Sequence, residues 1–315
     1  MTMESMTMES LKILVTGGAG FIGSHLVRAL VNAGHSVSVL DNLSTGSLDN
    51  LRVVIDSIEF VEGDVRDYKT VEGAVRGVDA VIHLAALIDV AESIAKPDLY
   101  FDVNVGGTYN VLKASKGVSV FVFASSSAVY GESVRLPIPE DHPPNPKSPY
   151  AASKISGEAF VMAFSELYGF RPVILRLFNV YGPKQSRAYA GVIIEFIRRI
   201  SRGEPPVIFG DGEQTRDFVH VNDVVNAIML ALGNDKARGI YNIGSGTAIS
   251  INELAKLILN VIGREDLRPI YAPPRPGDIK HSVADTTRAM RGLRFKPSIR
   301  LEDGLRDSVS VYGAR

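Results

Sequence analysis

Cysteine is absent from the 315-residue chain, which excludes disulfides and any thiolate nucleophile. A surplus of charge of either sign is absent too: 34 Lys and Arg against 35 Asp and Glu leave a formal net charge of −1. A nucleic-acid-binding face would need a basic excess, and no run of Lys and Arg occurs, so no nucleic-acid partner is expected. The six histidines are scattered without H-x-x-x-H spacing, and no metal site is expected. Apolar runs are broken by Gly, Asp or Arg well short of the ~18 residues that a membrane span requires, so no membrane partner is expected either. Residues 1–10 are two copies of Met-Thr-Met-Glu-Ser and lack the basic and apolar regions of a signal peptide. They read as a disordered or artificial extension, and the expected compartment is the cytoplasm.

What the chain does have is rhythm. Short runs rich in Val, Ile and Leu at Leu11–Thr16, Ser36–Leu40, Ile58–Val61, Ala80–His83 and Val118–Ala124 alternate with helical spacing, as in Ile22–Val31 and Val105–Ala114. Near-continuous apolar strands separated by helices indicate a parallel sheet covered on both faces. Asn42–Asp56 is loop-like and mixed. Pro137–Pro149 carries six prolines in thirteen residues, which forbids a helix or a central strand. Pro149 then opens a helix to about Tyr168, followed by a strand at Pro172–Phe178. Beyond Asn179, Gly and Pro clusters separate shorter elements, as in a smaller lobe. The length agrees, since single cores stop growing at roughly 250–300 residues.

The first strand runs into Gly17-Gly18-Ala19-Gly20-Phe21-Ile22-Gly23, and a helix begins inside that cluster. A pyrophosphate needs bare backbone N–H groups at a helix N-terminus, where the dipole favours an anion; glycine lets it approach. On its own the motif is weak, and a tight strand–helix turn would use the same residues. Its context between strand and helix favours a dinucleotide. Asp41, about twenty residues on, sits where an acid accepts the adenosine ribose hydroxyls. Asn42-Leu43-Ser44, which follows, offers no arginine for a 2′-phosphate, and this favours NAD over NADP. Asp64 and Val65 are weaker candidates for the adenine.

Tyr150-Ala-Ala-Ser-Lys154 lies on the proline-opened helix with both side chains on one face. A phenol with a pKa near ~10 is a poor base at neutral pH unless a nearby cation lowers it. Lys154 and an oxidised nicotinamide ring would do so. Tyr-x-x-x-Lys also arises by chance, as at Tyr109–Lys113, where no serine cluster precedes it. The Tyr150 pair follows Ser125-Ser126-Ser127-Ala128-Val129-Tyr130-Gly131, from which a hydroxyl could hold a reacting oxygen. Tyr130 is expected to pack.

These motifs occur in order with His83-Leu-Ala-Ala, Leu175-Arg-Leu-Phe-Asn-Val-Tyr-Gly-Pro183 and Arg275-Pro-Gly-Asp278. From Leu11 onward the chain resembles the extended short-chain dehydrogenase/reductase family, and within it the UDP-glucose 4-epimerases. The resemblance implies a doubly wound parallel sheet of the Rossmann type, with a smaller, discontinuous α/β substrate-binding domain. Residues 11–178 with about 217–245 would form the first, and about 179–216 with 246–315 the second. It implies Tyr150 as base and acid, Lys154 lowering its pKa and holding the nicotinamide ribose, and Ser126 on the sugar hydroxyl. Gly17, Gly20, Phe21, Ile22, Gly23, Asp41 and Asn42 would hold NAD. Asp64, Val65, Leu84, Ala85, Ala86, Asn104 and Phe178 would line it further along. Asn179, Arg216, Arg275 and Asp278 would hold the UDP, with the guanidinium forks on its pyrophosphate. Val207 and Phe209 would flank the uracil.

Ile88 stands where some epimerases have lysine, so no ribose contact is assigned to it. Ser282 stands where a bulky residue in related epimerases restricts the substituent at C2, and its small side chain leaves room for an N-acetyl group. The alternatives are a UDP-glucuronate 4-epimerase, a nucleotide-sugar 4,6-dehydratase and a silent NAD-binding scaffold. Related dehydratases carry Asp-Glu directly after the catalytic Ser or Thr, where this chain has Ser127-Ala128. Apolar Ile155, Ala159, Met162 and Ala163 on the Tyr150 helix, the helix through which related enzymes pair, suggest a homodimer.

Overall fold

The computed structural model describes residues 10–185, 191–274 and 279–313. The first nine residues of the duplicated extension, and Arg275 and Asp278, lie outside them. The first half alternates strand and helix: β1 (Lys12–Thr16), α1 (Phe21–Asn32), β2 (Ser36–Asp41), β3 (Ile58–Glu62), α2 (Tyr68–Val75) and β4 (Ala80–His83). Next come α3 (Val90–Ala95), α4 (Pro97–Tyr100), α5 (Gly107–Ala114), β5 (Val120–Ser126), α6 (Pro149–Tyr168) and β6 (Arg171–Leu177). The second half has shorter pieces: β7 (Asn179–Tyr181), α7 (Val192–Ser201), β8 (Val207–Phe209), β9 (Thr215–His220), α8 (Val221–Gly233) and β10 (Gly239–Ile243). The last are β11 (Ala248–Ser250), α9 (Ile251–Ile262), β12 (Ile270–Ala272), α10 (Thr287–Leu293) and α11 (Leu301–Tyr312).

Seven strands form one parallel sheet in the order β10-β6-β5-β4-β1-β2-β3. The doubly wound arrangement read from the sequence is therefore the observed one. Its central strands are apolar on both faces because helices cover both. Leu26, Leu30, Val224 and Ile228 of α1 and α8 pack on one side, and Val71, Val111 and Val161 of α2, α5 and α6 on the other. Each of these side chains stabilises the sheet by roughly 1.5–3 kcal/mol through burial. Strand order reverses between β1 and β4, and at such a switch point a crevice opens beyond the C-terminal strand ends.

A second core lies among α7, α9 and α11, built on Ile193, Phe196, Ile197, Leu254, Ile258 and Leu305. Beside it β11, β9 and β7 form a three-stranded sheet. Residues 217–220, grouped with the large sheet in the sequence reading, pair here with β7 and β11 instead. Conversely, Ala289 and Leu293 of α10, with Phe295, join the core of the large sheet. The two units are stitched at Asp217, which is wholly buried. Its carboxylate accepts from Ser245 N (2.7 Å), Ser245 Oγ (2.6 Å), Gly246 N (3.0 Å) and Ala284 N (3.0 Å).

Local chemistry sets the element ends that matter for the site. Ser148 caps α6 by accepting from Ala151 N at 3.1 Å, Pro149 occupies the first turn, and Gly169 at φ +79° ends the helix. The proline-rich stretch before it forms neither helix nor regular strand; Ile138 alone bridges to Ala284. The helix expected from Val105 begins earlier, because α4 and α5 are joined through a wide π-type turn at Phe101–Gly106. That turn carries Asn104 into the interior.

Candidate active site

A cleft of about 940 Å³ lies along the C-terminal ends of the large sheet and reaches the smaller one. One end is the glycine loop. Gly17 sits at φ +72°, donates to Leu40 O (2.8 Å) and accepts from Gly20 N (3.2 Å). A side chain on Gly23 would fall onto the Gly17 carbonyl and within 2.7 Å of Gly18 Cα, so helix and loop touch backbone to backbone. Helix α1 starts after Gly20 with no side-chain cap and no acid in its first turn. Its leading N–H groups carry partial positive charge and suit a phosphate.

Asp41 is not the solvated strand-end acid that a bland reading of the sequence would allow. It is 7% exposed and accepts from Ala19 N (2.9 Å) and Leu43 N (2.8 Å), so it braces the loop while still lining the cleft. Burial pushes its carboxyl upward, and those two backbone bonds oppose the push. Phe21, Ile22, Asn42, Val65, Leu84, Ala85, Ala86 and Phe178 also line the cleft. The bare helix terminus, the glycine surface and the strand-end acid fit a dinucleotide.

Two expected cofactor residues are placed otherwise. Asp64 is not among the cleft-lining residues: Arg66 takes its carboxylate through Nε (2.9 Å) and Nη2 (2.8 Å), and Asn42 donates to it at 2.8 Å. This pairing holds the Asp64 carboxyl well below the usual range. Asn104 is buried behind the wall. Its Oδ1 accepts from Leu87 N (2.8 Å), and its Nδ2 donates to Leu87 O (2.9 Å) and to Ser153 Oγ (3.0 Å). With both ends of its amide committed to protein, Asn104 shapes the 84–89 loop and ties it to α6.

His83 completes that bracing. Thr108 Oγ1 donates to Asn104 O (2.5 Å) and so accepts from His83 Nε2 (2.9 Å). Thr16 Oγ1 accepts from Ala85 N (3.2 Å) and donates to His83 Nδ1 (2.6 Å). The chain of bonds fixes the Nε2–H tautomer, and burial pulls the imidazole down to about 3, with the Lys154 charge adding to the effect. Asn104→Leu should destabilise the fold by about 1–3 kcal/mol, because it orphans the Leu87 amide and carbonyl. Chemical denaturation checks this; an unchanged midpoint would mean the loop does not depend on Asn104.

The other half of the cleft holds the residues expected to transfer the proton. The Tyr150 hydroxyl pairs with the Ser126 side chain, and Lys154 Nζ donates to Ala124 O at 2.9 Å. Tyr150 is 8% exposed and Lys154 5%. Burial raises the Tyr150 phenol and the Ser126 bond opposes it; the lowering expected of Lys154 is not among the influences on it in the protein alone. Lys154 is itself pulled down to about 8 by burial, against the charge of Glu158. The chance pair behaves as one: Tyr109 packs edge-on against Phe160 and Phe164, and Lys113 lies over the Tyr68 ring.

Among the expected substrate residues, Asn179, Arg216 and Ser282 line the cleft. Asn179 donates to Asp217 O (2.9 Å) and Arg216 to Thr215 O (2.8 Å). Val207 and Phe209 sit on β8, paired with β12, and are not among the lining residues. Sequence reasoning missed a buried polar set beneath the serines. Tyr130, expected only to pack, donates to Asn242 Oδ1 at 2.6 Å, and Arg176 lies 4.7 Å over its ring.

Residues 13–244 match the model of the NAD dependent epimerase/dehydratase family. The chain belongs to that family. NAD is therefore its cofactor, in keeping with the glycine cradle and Asp41. Members of the family resemble the chain along its whole length. A putative UDP-glucose 4-epimerase of Methanocaldococcus jannaschii is 43% identical over 304 residues, 95% of this chain and 97% of the relative. The structure of UDP-glucose 4-epimerase with UDP-glucose from Thermotoga maritima superposes with a TM-score of 0.90 at 40% identity, covering 96% and 98% of the two chains. UDP-N-acetylglucosamine 4-epimerase from Methanobrevibacter ruminantium, in complex with UDP-N-acetylmuramic acid, gives a TM-score of 0.92 at 40% identity, covering 97% and 99%. Among the described residues, no helix of this family member is long and apolar enough to cross a membrane.

Proposed function

We propose that the protein is a UDP-hexose 4-epimerase that interconverts UDP-glucose and UDP-galactose by transient oxidation at C4. The observation that carries this reading is the Tyr150–Ser126 pair beside Lys154, in a cleft that begins at the glycine cradle. Tyr150 takes the 4-hydroxyl proton, Ser126 holds the same oxygen, and Lys154 keeps positive charge behind the phenol. Bound NAD supplies hydride acceptance and return at C4, together with positive charge beside the phenol. The 4-keto sugar turns over between the two transfers, and Tyr150 returns the proton on the other face. The UDP moiety, held by Asn179 and Arg216 together with Arg275 and Asp278, keeps the intermediate bound while the sugar moves. Val207 and Phe209 would flank the base.

Ser282 is small, buried and on the cleft wall, which supports room for an N-acetyl group at C2. UDP-GlcNAc and UDP-GalNAc are accordingly proposed as further substrates. Against dehydration stands Ser127-Ala128 after Ser126, both at the cleft and neither able to serve as the acid and base needed at C5–C6. The test is product analysis after incubation with UDP-galactose, UDP-GalNAc, UDP-galacturonate and dTDP-glucose without added reductant. Inverted UDP-galactose and UDP-GalNAc are expected. Failure with UDP-GalNAc alone would refute the role given to Ser282, and a 4-keto-6-deoxy product would establish a dehydratase.

We also infer a homodimer through α5 and α6. Ala159, Met162 and Ala163 are exposed on α6, and Tyr109 is exposed on α5, whereas Ile155 packs internally against Val129 and Phe178. Light scattering that returns a monomer mass at micromolar concentration would remove this inference.

A further inference from the structure

Beneath the serine cluster, three polar side chains meet with almost no exposure: Ser125 at 3%, Glu158 at 6% and Arg176 at 4%. Arg176 lies directly across from Ser125 in the β5–β6 register. Its guanidinium grips Glu158 through Nε to Oε1 (2.9 Å) and Nη2 to Oε2 (2.7 Å). Ser125 Oγ donates to the same Oε1 at 2.5 Å. The Glu158 carboxylate thus accepts three bonds from groups that are themselves buried.

Glu158 stands one helical turn beyond Lys154, on the same face of α6. Ser125, its partner, immediately precedes Ser126, which pairs with Tyr150. One carboxylate thus holds Ser125, the neighbour of Ser126, and stands one helical turn from Lys154. We propose that Glu158 is a positioning residue for the proton-transfer group: it pins the end of β5 through Ser125 and places a carboxylate one helical turn from Lys154. This rests on the epimerase reading of Tyr150 and Lys154.

The groups that face Lys154 support it. From α6 come Tyr150 and Glu158. From β5 come the Ala124 carbonyl and the Phe123 ring, 5.2 Å from Nζ. From β4 comes His83, which burial keeps neutral. Among these described groups the anion is Glu158, and the Arg176 guanidinium that grips it offsets part of its field. Burial already pulls Lys154 to about 8 with Glu158 in place, so losing that charge leaves the amine neutral over more of the neutral range. A buried ion pair kept for stability alone could be replaced by apolar residues at little loss. Here its position beside the lysine gives it a second task.

The sign follows directly. Activity that needs the ammonium is lost as pH rises through the Lys154 pKa, so lowering that pKa moves the alkaline limb of kcat to lower pH. In the holoenzyme, Glu158→Gln should move the limb to lower pH, with KM for UDP-galactose within about twofold, whereas Glu158→Gln with Arg176→Gln removes both charges of the pair and should move it less. The double variant leaves no lone buried guanidinium, which would cost about 3–5 kcal/mol in Glu158→Gln alone. Ser125→Ala, a milder change, should lower kcat several-fold without moving the limb. An unmoved limb in folded Glu158→Gln, or an unchanged kcat in Ser125→Ala, overturns the proposal. Failure of the underlying reading would look different: wild-type protein that does not invert UDP-galactose, or Tyr150→Phe with full turnover.

Discussion

Tyr150→Phe is expected to lower kcat by about a thousandfold, within the range that a positioned acid–base group contributes. The change removes one oxygen and little else. The ring keeps its edge-on packing against Tyr100 (centroids 6.5 Å apart) and stays at the same place on α6. The phenol is buried, so its loss removes a group whose ionisation burial already resists, rather than a strong stabilising contact. Melting temperature and NAD content should therefore stay close to wild type while turnover of UDP-galactose collapses. Steady-state kinetics beside a thermal melt separates the two effects. Retention of a tenth or more of the activity would show that another group moves the proton.

The second large effect is expected at the cofactor. Gly17→Ala puts a Cβ 2.8 Å from Ala85 N and 2.9 Å from Ala85 Cα, at a residue whose φ is +72°. The left-handed backbone alone costs about 1 kcal/mol for an L-residue. The clash is with main chain and has no flexible tip to yield. Relief means moving the 84–86 wall, which breaks the Ala85 N to Thr16 Oγ1 bond and spoils the facing surface for the dinucleotide. NAD affinity should fall by about a hundredfold or more, equivalent to ~3 kcal/mol, read by titration and by nucleotide released on denaturation. Gly34→Ala is the control. Its φ is +85°, but a Cβ there meets nothing within 4 Å, so stability falls modestly and NAD binding stays.

The glycine loop, Asp41 and the Tyr150–Lys154 pair were legible in the sequence because their chemistry depends on local spacing. A strand, a bare turn and a helix start lie within a dozen residues, and a four-residue step on a helix fixes the second pair. Long-range contacts were not legible. Ser125 and Glu158 are 33 positions apart, and Tyr130 and Asn242 are 112 apart. Only the folded sheet brings them together. Asn104 was misread for the same reason: its partners Leu87 and Ser153 lie 17 and 49 positions away. Asp64 is different, because Arg66 is two residues on and a competing ion pair was visible in the sequence. The pairing of β9 with β7 and β11 was not legible either, because it joins segments distant in the chain.

Asp217 bears on how inversion can happen. An anion sealed from water and satisfied by three main-chain amides and a hydroxyl drawn from two separate connections acts as a rivet. Opening that joint would strand a bare charge in a dry interior, at a cost of several kcal/mol. Those four bonds resist movement of the two connections about Asp217. On the proposed epimerase reading, the half-turn between the two hydride transfers would fall to the sugar itself and not to this joint.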